Sequence, residues 1–491
     1  MQADTLIIGA GPAGLTTAYQ LAKVGRSVVI VERDPRYVGG ISRTVEYKGY
    51  RFDIGGHRFF SKSAEVEALW TELLADELLE RPRSSRIFYK GKFFHYPLRA
   101  NDALGKLGII EAVRCLVSFG KARLFPIRHV RSFEDWVVNN FGRRLFEIFF
   151  KTYTEKVWGM DCSEISADWA AQRIKGLSLT TAIIGSLGLA PAHEGGVIKT
   201  LIGSFRYPRL GPGQMWERAR DRVVQMGGTV FMGSTVSRLT QERASKRWQA
   251  EIRRDDGSVQ HVTARHVVST MAMNELVALV EPEAAPALAR AASALRYRDF
   301  LLVALITRGE EQFNDNWIYI HDPGVEVGRV QNFRSWSPDM VPVPGTACYG
   351  MEYFCFEGDG QWMRPDEDLI RHASAELVKL GLAAPDAVID GCVVRQPKAY
   401  PVYDDLYAFH VDTIRESLEQ RYANLHLAGR NGMHRYNNQD HAMMTGMLTA
   451  ANVVAGFRKY DPWRVNEDAE YHEADAAGSM RIEERLVPRR A

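Results

Sequence analysis

The sequence predicts an α/β fold in which an N-terminal β-α-β unit is completed by later parts of the chain. Three observations support this prediction. An apolar run at 6–8 leads into a glycine-rich turn and a helical pattern, and a second apolar run follows at 28–31. Residues 63 to 205 repeat apolar positions at three- and four-residue spacing, which is typical of amphipathic helices. Strand patterns dominate 295–400, and a strand followed by a long helix returns after residue 424.

The composition is that of an ordinary globular protein of two or three domains. The chain has 491 residues, of which 46% are hydrophobic and 25% charged, and its formal net charge is +2. This charge argues against a nucleic-acid partner, and no apolar run is long enough to cross a bilayer. The early first strand leaves no room for a signal peptide, and the five cysteines lack disulfide or metal-ligand spacing. We therefore expect a reduced, cytoplasmic protein without a metal site.

The glycine-rich turn has the spacing that binds dinucleotides. It comprises Gly9, Gly11, Pro12, Ala13 and Gly14. In the pattern G-x-G-x-x-G, the first glycine permits a tight turn, the second admits a pyrophosphate, and the third lets the helix pack on the strand. The helix N-terminus also favours negative charge. Glu32, followed by Arg33, ends the second strand, where a carboxylate accepts both ribose hydroxyls and disfavours a 2′-phosphate.

A second pair of glycines follows this Rossmann-like unit. Gly39 and Gly40 precede Ile41, Ser42 and Arg43. This segment resembles the second fingerprint of FAD oxidoreductases of the amine-oxidase type. In that group the glycines pass close to the cofactor, and a basic residue near this position neutralises its pyrophosphate. The two motifs together predict an FAD-binding domain, whereas the glycine pair alone would indicate an ordinary loop.

The other end of the chain resembles the closing element of the same fold. A strand ends at Gly429 and Arg430, and a helix starts after Asn438 and Gln439. In that fold a helix N-terminus and an arginine complete the cofactor cradle.

The predicted Rossmann-like FAD-binding domain is therefore discontinuous and carries two insertions. The predicted units are the FAD-binding domain at 1–62, 209–294 and 415–459, a mostly helical insert at 63–208, a mainly antiparallel β-sheet substrate domain at 295–414, and a charged C-terminal tail at 460–491. Within the insert, residues 106–130 mix Lys and Arg with apolar residues. This pattern favours a core-facing helix over one that lies on a membrane surface.

Motifs spread over the first 455 residues resemble the UDP-galactopyranose mutase family, closer to its eukaryotic-type branch than to the short bacterial one. Their order and approximate spacing carry the resemblance. The matching segments are Gly55-Gly56-His57, Tyr96-Pro97, Lys156-Val157-Trp158, Arg173, Phe205-Arg206-Tyr207-Pro208, Val268-Ser269-Thr270-Met271, Trp317 with Tyr319, Arg329, Tyr400-Pro401, and Arg435-Tyr436 with Asn438-Gln439-Asp440-His441.

The resemblance implies that reduced FAD is itself the catalyst. In the family its N5 attacks the anomeric carbon of a nucleotide sugar and displaces the nucleoside diphosphate, and the sugar ring recloses through a different hydroxyl. The catalytic residues implied here are His57, Arg173 and Arg329. The implied substrate-binding residues are Tyr96, Arg99, Trp158, Arg173, Trp317, Tyr319, Arg329, Tyr400, Tyr436 and Asn438. The implied cofactor-binding residues, besides those of the two glycine motifs, are Gly55, Gly56, His57, Val236, Gly429, Arg430, Asn438 and Gln439.

Some features leave alternatives open. Leu98 and Arg99 stand where the family has an aromatic and then an amide that help to grip uracil, so the nucleotide base is not fixed. An FAD-dependent oxidase or desaturase acting on another sugar-linked or apolar substrate shares the flavin domain, and so does a non-enzymatic FAD-binding scaffold. The paired arginines and the tyrosines favour the mutase. NAD(P)H, if it is the reductant, would bind transiently, and a homo-oligomer is left open.

Overall fold

Two seven-stranded sheets organise the protein. The computed structural model describes residues 1–96, 98, 100–167, 203–280, 284–309 and 312–465. The strands in chain order are β1 (Gln2–Ile8), β2 (Val28–Val31), β3 (Thr44–Tyr47), β4 (Tyr50–Asp53), β5 (Leu78–Pro82), β6 (Ser85–Tyr89), β7 (Lys92–His95), β8 (Ser204–Pro208), β9 (Thr229–Phe231), β10 (Ser234–Gln241), β11 (Trp248–Arg254), β12 (Val259–Ser269), β13 (Tyr297–Arg308), β14 (Trp317–Ile320), β15 (Arg329–Asn332), β16 (Thr346–Cys355), β17 (Val388–Pro401) and β18 (Leu425–Leu427).

Helices cover the faces of the sheets. The α-helices are Pro12–Lys23, Ala64–Leu74, Ala100–Leu107, Ile109–Leu124, Phe133–Phe141, Arg143–Phe146, Thr152–Trp158, Gly213–Gln225, Met273–Val280, Pro286–Ala294, Phe333–Trp336, Asp366–Lys379, Tyr407–Arg421, Gly429–Gly432 and Gln439–Ala455, with a π-helical turn at Glu147–Lys151. Within the described residues, no helix combines the length and apolarity that crossing a membrane requires.

The first sheet forms the Rossmann-like core. Its order is β10-β11-β12-β1-β2-β9, and β18 also pairs with β12. The pairs that β1 makes with β2 and β12 are parallel. Successive side chains of a strand point to opposite faces, so Leu6 and Ile8 pack in one apolar cluster and Ile7 in another. Because both faces are covered, β1 can be apolar without alternation, as the sequence predicted.

The second sheet carries most of the candidate site. Its order is β17-β13-β16-β15-β14-β6-β7, and its pairs are antiparallel except for β14 with β6. The predicted α/β fold with a mainly antiparallel second sheet is confirmed. All ten residues of β16 are buried, which places this strand at the centre of the second core.

The segment at 63–208 contains strands that the helical pattern did not predict. β6 and β7 join the second sheet, and β5 pairs with β8. The β6–β7 turn at Lys90 and Gly91 has φ +49° and +74°, the positive values of a two-residue type I′ hairpin turn. The helical periodicity of the flanking segments masked this short hairpin. The proposed domain boundaries stay a prediction.

The expectation that the apolar side of a helix within residues 106–130 faces the core is wrong. The helix Ile109–Leu124 is present, but the buried residues along it are Cys115 and Ala122. Ile109 and Val117 are 84% and 66% exposed. The pattern correctly indicates an apolar face but does not specify whether another element covers that face.

A buried carboxyl group links the two-stranded sheet β3-β4 to the two-stranded sheet β5-β8 and leads to a prediction about pH. Asp53 on β4 accepts hydrogen bonds from the hydroxyls of Thr44, at 2.9 Å, and Tyr207. Burial raises the pKa of Asp53 from 3.8 to about 7, although these hydroxyls act in the opposite direction. The folded state therefore favours the protonated form. We expect stability from this group to be fully present below about pH 4 and to fall by up to roughly 4 kcal/mol as the pH rises through 7.

An Asp53→Asn variant should lose this contribution to the pH dependence. The measurement is the free energy of unfolding in urea at several pH values between 4 and 8. As the pH rises from 4 to 8, the free energy of unfolding of the variant should increase relative to that of the wild type. Parallel profiles would show that Asp53 ionises as freely in the folded state as in the unfolded one.

Candidate functional site

The glycine-rich turn between β1 and the Pro12–Lys23 helix has no room for a side chain at Gly9 or Gly14. Gly9 has φ +98°, and its amide donates to the Val31 carbonyl at 2.8 Å. A Cβ on Gly9 would lie 2.3 Å from the Thr270 hydroxyl, and one on Gly14 would lie 2.0 Å from the Gly9 carbonyl oxygen. The helix N-terminus therefore lies at the end of the strand, where a dinucleotide pyrophosphate binds in Rossmann-like folds.

Glu32 lies beside this turn. Its carboxylate accepts hydrogen bonds from the amides of Ala10, at 2.7 Å, and Asp34, at 2.9 Å. Burial raises the pKa of Glu32, and the two amides offset part of that rise. The adjacent Arg33 is exposed, and Val236 lies half-buried in β10. Glu32 is thus positioned next to the glycine turn, whereas Arg33 points to solvent.

The second glycine pair meets the first motif. The Gly39 amide donates to the Ala10 carbonyl at 2.8 Å. A Cβ on Gly40 would lie 3.4 Å from the Gly11 Cα. The two segments that the sequence assigned to one cofactor are therefore neighbours in space.

Arg43 follows the short 3-10 turn Gly40–Ser42, which contains Ile41. Its guanidinium donates to the Gly40 carbonyl at 3.0 Å and to the side-chain oxygen of Gln396, and its Nε lies 3.6 Å from an Asp34 oxygen. Burial lowers the pKa of Arg43, although the charge of Asp34 opposes this. The arginine is already engaged by protein groups, and its contact with a pyrophosphate stays a prediction.

The closing element reaches the same place. A Cβ on Gly429 would lie 2.9 Å from the Ala13 Cβ, so this strand end touches the start of the first helix. The Arg430 side chain donates to the carbonyls of Asn437, at 2.9 Å, and Ala399, at 3.0 Å. Arg430 therefore connects the closing element to β17 of the second sheet.

The Gln439–Ala455 helix starts at this junction. Asn438 precedes it and is exposed, and its amide donates to His441 Nδ1 at 3.2 Å. The buried Gln439 side chain donates to the Arg58 carbonyl at 3.2 Å. Asn438 therefore acts as the helix cap, and Gln439 ties the helix to the segment that carries His57.

Several buried polar atoms at this junction are available to a ligand. Among the described residues, no hydrogen-bond partner is found for Oε1 of Gln439, Nδ1 of His57 or either side-chain polar atom of Asn437. Unpaired buried polar atoms are costly, so such atoms usually meet a partner when the site is filled. Together with the two glycine turns, they fit a flavin dinucleotide, which brings both donors and acceptors.

His57 faces two arginines. It is half-buried and follows the buried Gly55 and the exposed Gly56. Burial, and then the positive charges of Arg430 and Arg329, lower the pKa of His57 to about 3. The imidazole is therefore neutral at physiological pH, where it can donate one hydrogen bond and accept another.

Arg329 lies on β15, directly across from Tyr319 on β14 and Glu352 on β16. Its Nε donates to the Glu352 carboxylate, and its Nη2 donates to the Tyr400 hydroxyl at 3.3 Å. Burial alone would lower the pKa of Arg329, but Glu352 and the neighbouring tyrosines hold it well above its usual value. The guanidinium is thus permanently charged, and Glu352 compensates part of that charge.

Aromatic rings form one wall of the site. The Tyr400 and Tyr436 rings stack with centroids 5.5 Å apart, and the Trp158 ring lies 6.4 Å from that of Tyr436. The Arg430 guanidinium lies 5.4 Å and 5.0 Å from the Tyr400 and Tyr436 centroids. Burial raises the pKa of Tyr400 to about 12, so its hydroxyl keeps its proton.

A second aromatic group continues toward Tyr96. Trp317 stacks on Trp336 with centroids 5.3 Å apart and meets the Tyr319 ring edge-on at 5.9 Å. The Tyr96 and Tyr319 centroids are 4.7 Å apart, and the Arg58 guanidinium lies 4.7 Å from the Trp317 ring. The structure therefore brings together Trp158, Trp317, Tyr319, Arg329, Tyr400 and Tyr436, with Tyr96 at one end. Trp317 belongs both to the core and to this group.

Sequence reasoning missed three neighbours of this group, which are Tyr153, His321 and Glu352. Tyr153 stacks on His321 with centroids 5.0 Å apart and meets Tyr319 edge-on at 5.4 Å. Glu352, the partner of Arg329, lies in the strand TACYGMEYFC, whose other residues are uncharged. An acid in an otherwise apolar buried strand was a usable signal, since such acids are almost always paired. Tyr153 gave no comparable signal within its helical pattern.

Other predicted positions fall outside the described residues. These are Arg173 and Arg99, together with Pro97 and most of the charged tail. The assignment of Arg173 as a second diphosphate ligand stays a prediction.

Known proteins resemble this chain in sequence and in fold. It is 29% identical over 173 residues to a probable UDP-galactopyranose mutase of Klebsiella pneumoniae, covering 33% of this chain and 43% of that protein. A crystal structure of reduced UDP-galactopyranose mutase has a TM-score of 0.80 at 19% identity, covering 97% of this chain and 99% of that chain. A putrescine oxidase variant has a TM-score of 0.62 at 17% identity, covering 93% and 99%. The chain thus spans less than half of the length of the curated mutase. At 19% and 17% identity, the two structural similarities show a shared fold alone.

A family-wide comparison covers most of the chain. The model of the flavin containing amine oxidoreductases matches residues 12–454, from the start of the first helix to the end of the Gln439–Ala455 helix. This match includes the second glycine pair and the closing element and implies a flavin cofactor. The chain therefore belongs to the family of flavin containing amine oxidoreductases.

Proposed function

We propose that the protein is an FAD-dependent mutase that interconverts the pyranose and furanose forms of a nucleotide-linked sugar. The observation that carries the proposal is the half-buried Arg329, with the Tyr400 hydroxyl at 3.3 Å and Tyr319 across the strand pair. A permanent cation beside two phenol hydroxyls offers charge-assisted hydrogen bonds to a diphosphate. An oxidase of amines gains nothing from such a cation, because its substrate is itself positively charged.

Each residue group has a part in this proposal. Reduced FAD, when bound, supplies the nucleophile, and the protein supplies binding and orientation. Arg329, Tyr319 and Tyr400 hold the diphosphate leaving group. Trp158 and Trp317 line the sugar site and limit the access of water. Because His57 is neutral, it neither adds to nor cancels the positive charge that attracts the diphosphate.

Glu352 makes a second cation necessary. It neutralises part of the Arg329 charge, whereas a nucleoside diphosphate sugar carries two negative charges. The resemblance assigns the second cation to Arg173. Arg58, whose guanidinium lies 4.7 Å from Trp317, is a further basic group near the site.

The proposal predicts conversion only when the flavin is reduced. The purified flavoprotein is reduced anaerobically with dithionite, UDP-galactofuranose is added, and the nucleotide sugars are separated by chromatography. The pyranose isomer should appear in the reduced sample and not in the same sample after reoxidation by air. Because Leu98 and Arg99 leave the base open, thymidine and guanosine diphosphate sugars belong in the same experiment. No conversion of any of them, with the flavin bound and reduced, would contradict the mutase proposal.

The second candidate is an FAD-dependent oxidoreductase. The fold shared with a putrescine oxidase supports it, at a TM-score of 0.62. An oxidoreductase substrate should bleach the oxidised flavin in the absence of air, whereas a mutase substrate should leave its spectrum oxidised. The same spectra recorded with NADH and NADPH test the proposed transient nicotinamide reductant. The eukaryotic-type branch and the cytoplasmic location stay predictions.

A further inference from the structure

The Ile109–Leu124 helix presents an apolar stripe to solvent. Ile109, Ile110, Val117 and Leu124 are 84%, 73%, 66% and 76% exposed. The full stripe, including the residue after the helix, is Ile109, Ile110, Val113, Leu116, Val117, Leu124 and Phe125. Its members recur at three- and four-residue spacing, so they lie along one side of the helix. Contiguous exposed apolar surface of this kind marks an interaction site.

The opposite side of the same helix is firmly packed. Cys115 and Ala122 are buried there. The Arg144 amide donates to the Ser118 hydroxyl at 3.1 Å. A Cβ on Gly142 would lie 2.7 Å from the Phe119 amide nitrogen, so the helix contacts this turn at backbone distance. The packed side fixes the helix to the fold and holds the stripe outward.

The charge around the stripe is strongly positive. Residues 106–131 contain one acid, Glu111, and six cations. The cations are Lys106, which is paired with Asp102, and Arg114, Lys121, Arg123, Arg128 and Arg131. Glu111 is itself paired with Arg144 and Arg114. At 3.6 residues per turn, Lys121 and Arg114 fall along one edge of the stripe and Arg123 along the other.

We propose that this helix docks on the surface of a lipid bilayer that contains anionic phospholipids. The apolar stripe would enter the boundary between headgroups and acyl chains, and the flanking Lys and Arg would extend their charged ends to the phosphates. Each cation near an anionic surface contributes about 1 kcal/mol of attraction. The helix lies in the plane of the surface and does not span it.

The charge distribution argues against a second copy of the chain as the occupant. Closed dimers use the same patch on both subunits. Here that arrangement would bring the same basic patch of two subunits into contact. The acid of each patch, Glu111, already pairs with Arg114 and Arg144 and would not offset the repulsion. A bilayer with anionic lipids offers acyl chains to the stripe and phosphates to the cations along its edges. The inference does not depend on the proposed reaction.

Vesicle sedimentation tests the proposal with the full-length, flavin-loaded protein. We expect strong binding to vesicles of phosphatidylcholine mixed with phosphatidylglycerol, weaker binding to phosphatidylcholine alone, and loss of the difference in high salt. A Val113→Glu/Val117→Glu double variant should bind at least about tenfold less to both kinds of vesicle. A Lys121→Glu variant should lose binding to the anionic vesicles selectively.

A matched control changes exposed apolar residues elsewhere. Leu406 and Phe409, 59% and 68% exposed, lie at the start of another helix, and a Leu406→Glu/Phe409→Glu variant should bind vesicles like the wild type. Flavin absorbance verifies that each variant is folded. Absent vesicle binding, or equal loss in both double variants, would overturn the proposal. So would a wild-type dimer in light scattering that the Val113→Glu/Val117→Glu change converts to a monomer, because the stripe would then be a self-interface.

Discussion

An Arg329→Ala variant is expected to lose most of its activity on the nucleotide sugar. The change removes charge-assisted hydrogen bonds to the leaving group, worth about 2–3 kcal/mol, or about 30- to 150-fold in kcat/KM. The loss should affect ground-state and transition-state binding together, since the diphosphate is charged in both. Wild-type kinetics in this variant would show that the clamp assignment is wrong. The Arg173→Ala variant tests the second predicted cation in the same assay.

The same substitution should also destabilise the protein. The Glu352 side chain is 1% exposed, and without Arg329 it keeps one described side-chain hydrogen bond, from Gln331 at 2.7 Å. Removing one partner of a buried ion pair costs about 3–5 kcal/mol, because a charge is left buried and unpaired. The free energy of unfolding in urea should fall by roughly this amount, so lost activity alone would not prove that Arg329 binds substrate.

A double variant separates the two roles of Arg329. In Arg329→Met/Glu352→Gln both charges are gone, and the new amide oxygen still accepts the hydrogen bond from Gln331. Removing both members of a buried pair is often nearly neutral for stability. We therefore expect stability to recover to within about 1 kcal/mol of the wild type while activity stays low. Recovery of activity together with stability would make Arg329 a structural residue only.

The glycine positions could be predicted because the constraint on each is local. Gly9 and Gly14 must lack side chains because a strand, a turn and a helix come into contact within a few residues. The spacing of these glycines in the sequence therefore predicts that geometry. Glu32 was likewise placed by its position at the end of the second strand. The approach of Gly40 to Gly11 followed from assigning both glycine motifs to a single cofactor.

Features that depend on long-range register could not be predicted from the chain. Arg329 was recognised through a resemblance, but its pairing with Glu352 requires β15 to lie beside β16 in one particular register. A one-residue slip would move Glu352 to the opposite face of the sheet. In the same way, a periodic pattern predicts that the Ile109–Leu124 helix has an apolar side, but only the packing of its other side shows that this side faces solvent.

A Gly14→Ala variant is expected to lose both stability and flavin. The new Cβ would lie 2.0 Å from the Gly9 carbonyl oxygen, and Gly9 cannot retreat because its amide is bonded to Val31 at 2.8 Å. The helix must therefore shift away from the strand, at a cost on the order of 3 kcal/mol. Thermal unfolding and the ratio of flavin to protein absorbance measure the two effects. Gly105→Ala, where no atom lies within 4 Å of the new Cβ, is the matched control: it lies within a helix, so it should keep the flavin and lose no stability, gaining up to about 1 kcal/mol.

A Gly11→Ala variant should distinguish cofactor binding from packing at the same turn. Gly11 has φ −78°, which any residue adopts, and its Cβ would lie 3.9 Å from the nearest protein atom, the Gly40 Cα. The protein without flavin should therefore be as stable as the wild type without flavin. If the space between the two glycine turns holds the pyrophosphate, the added methyl group enters that space, and FAD affinity should fall at least about tenfold. Unchanged FAD affinity in this variant would show that the pyrophosphate binds elsewhere, because a methyl group in the space between the two glycine turns would clash with a pyrophosphate there.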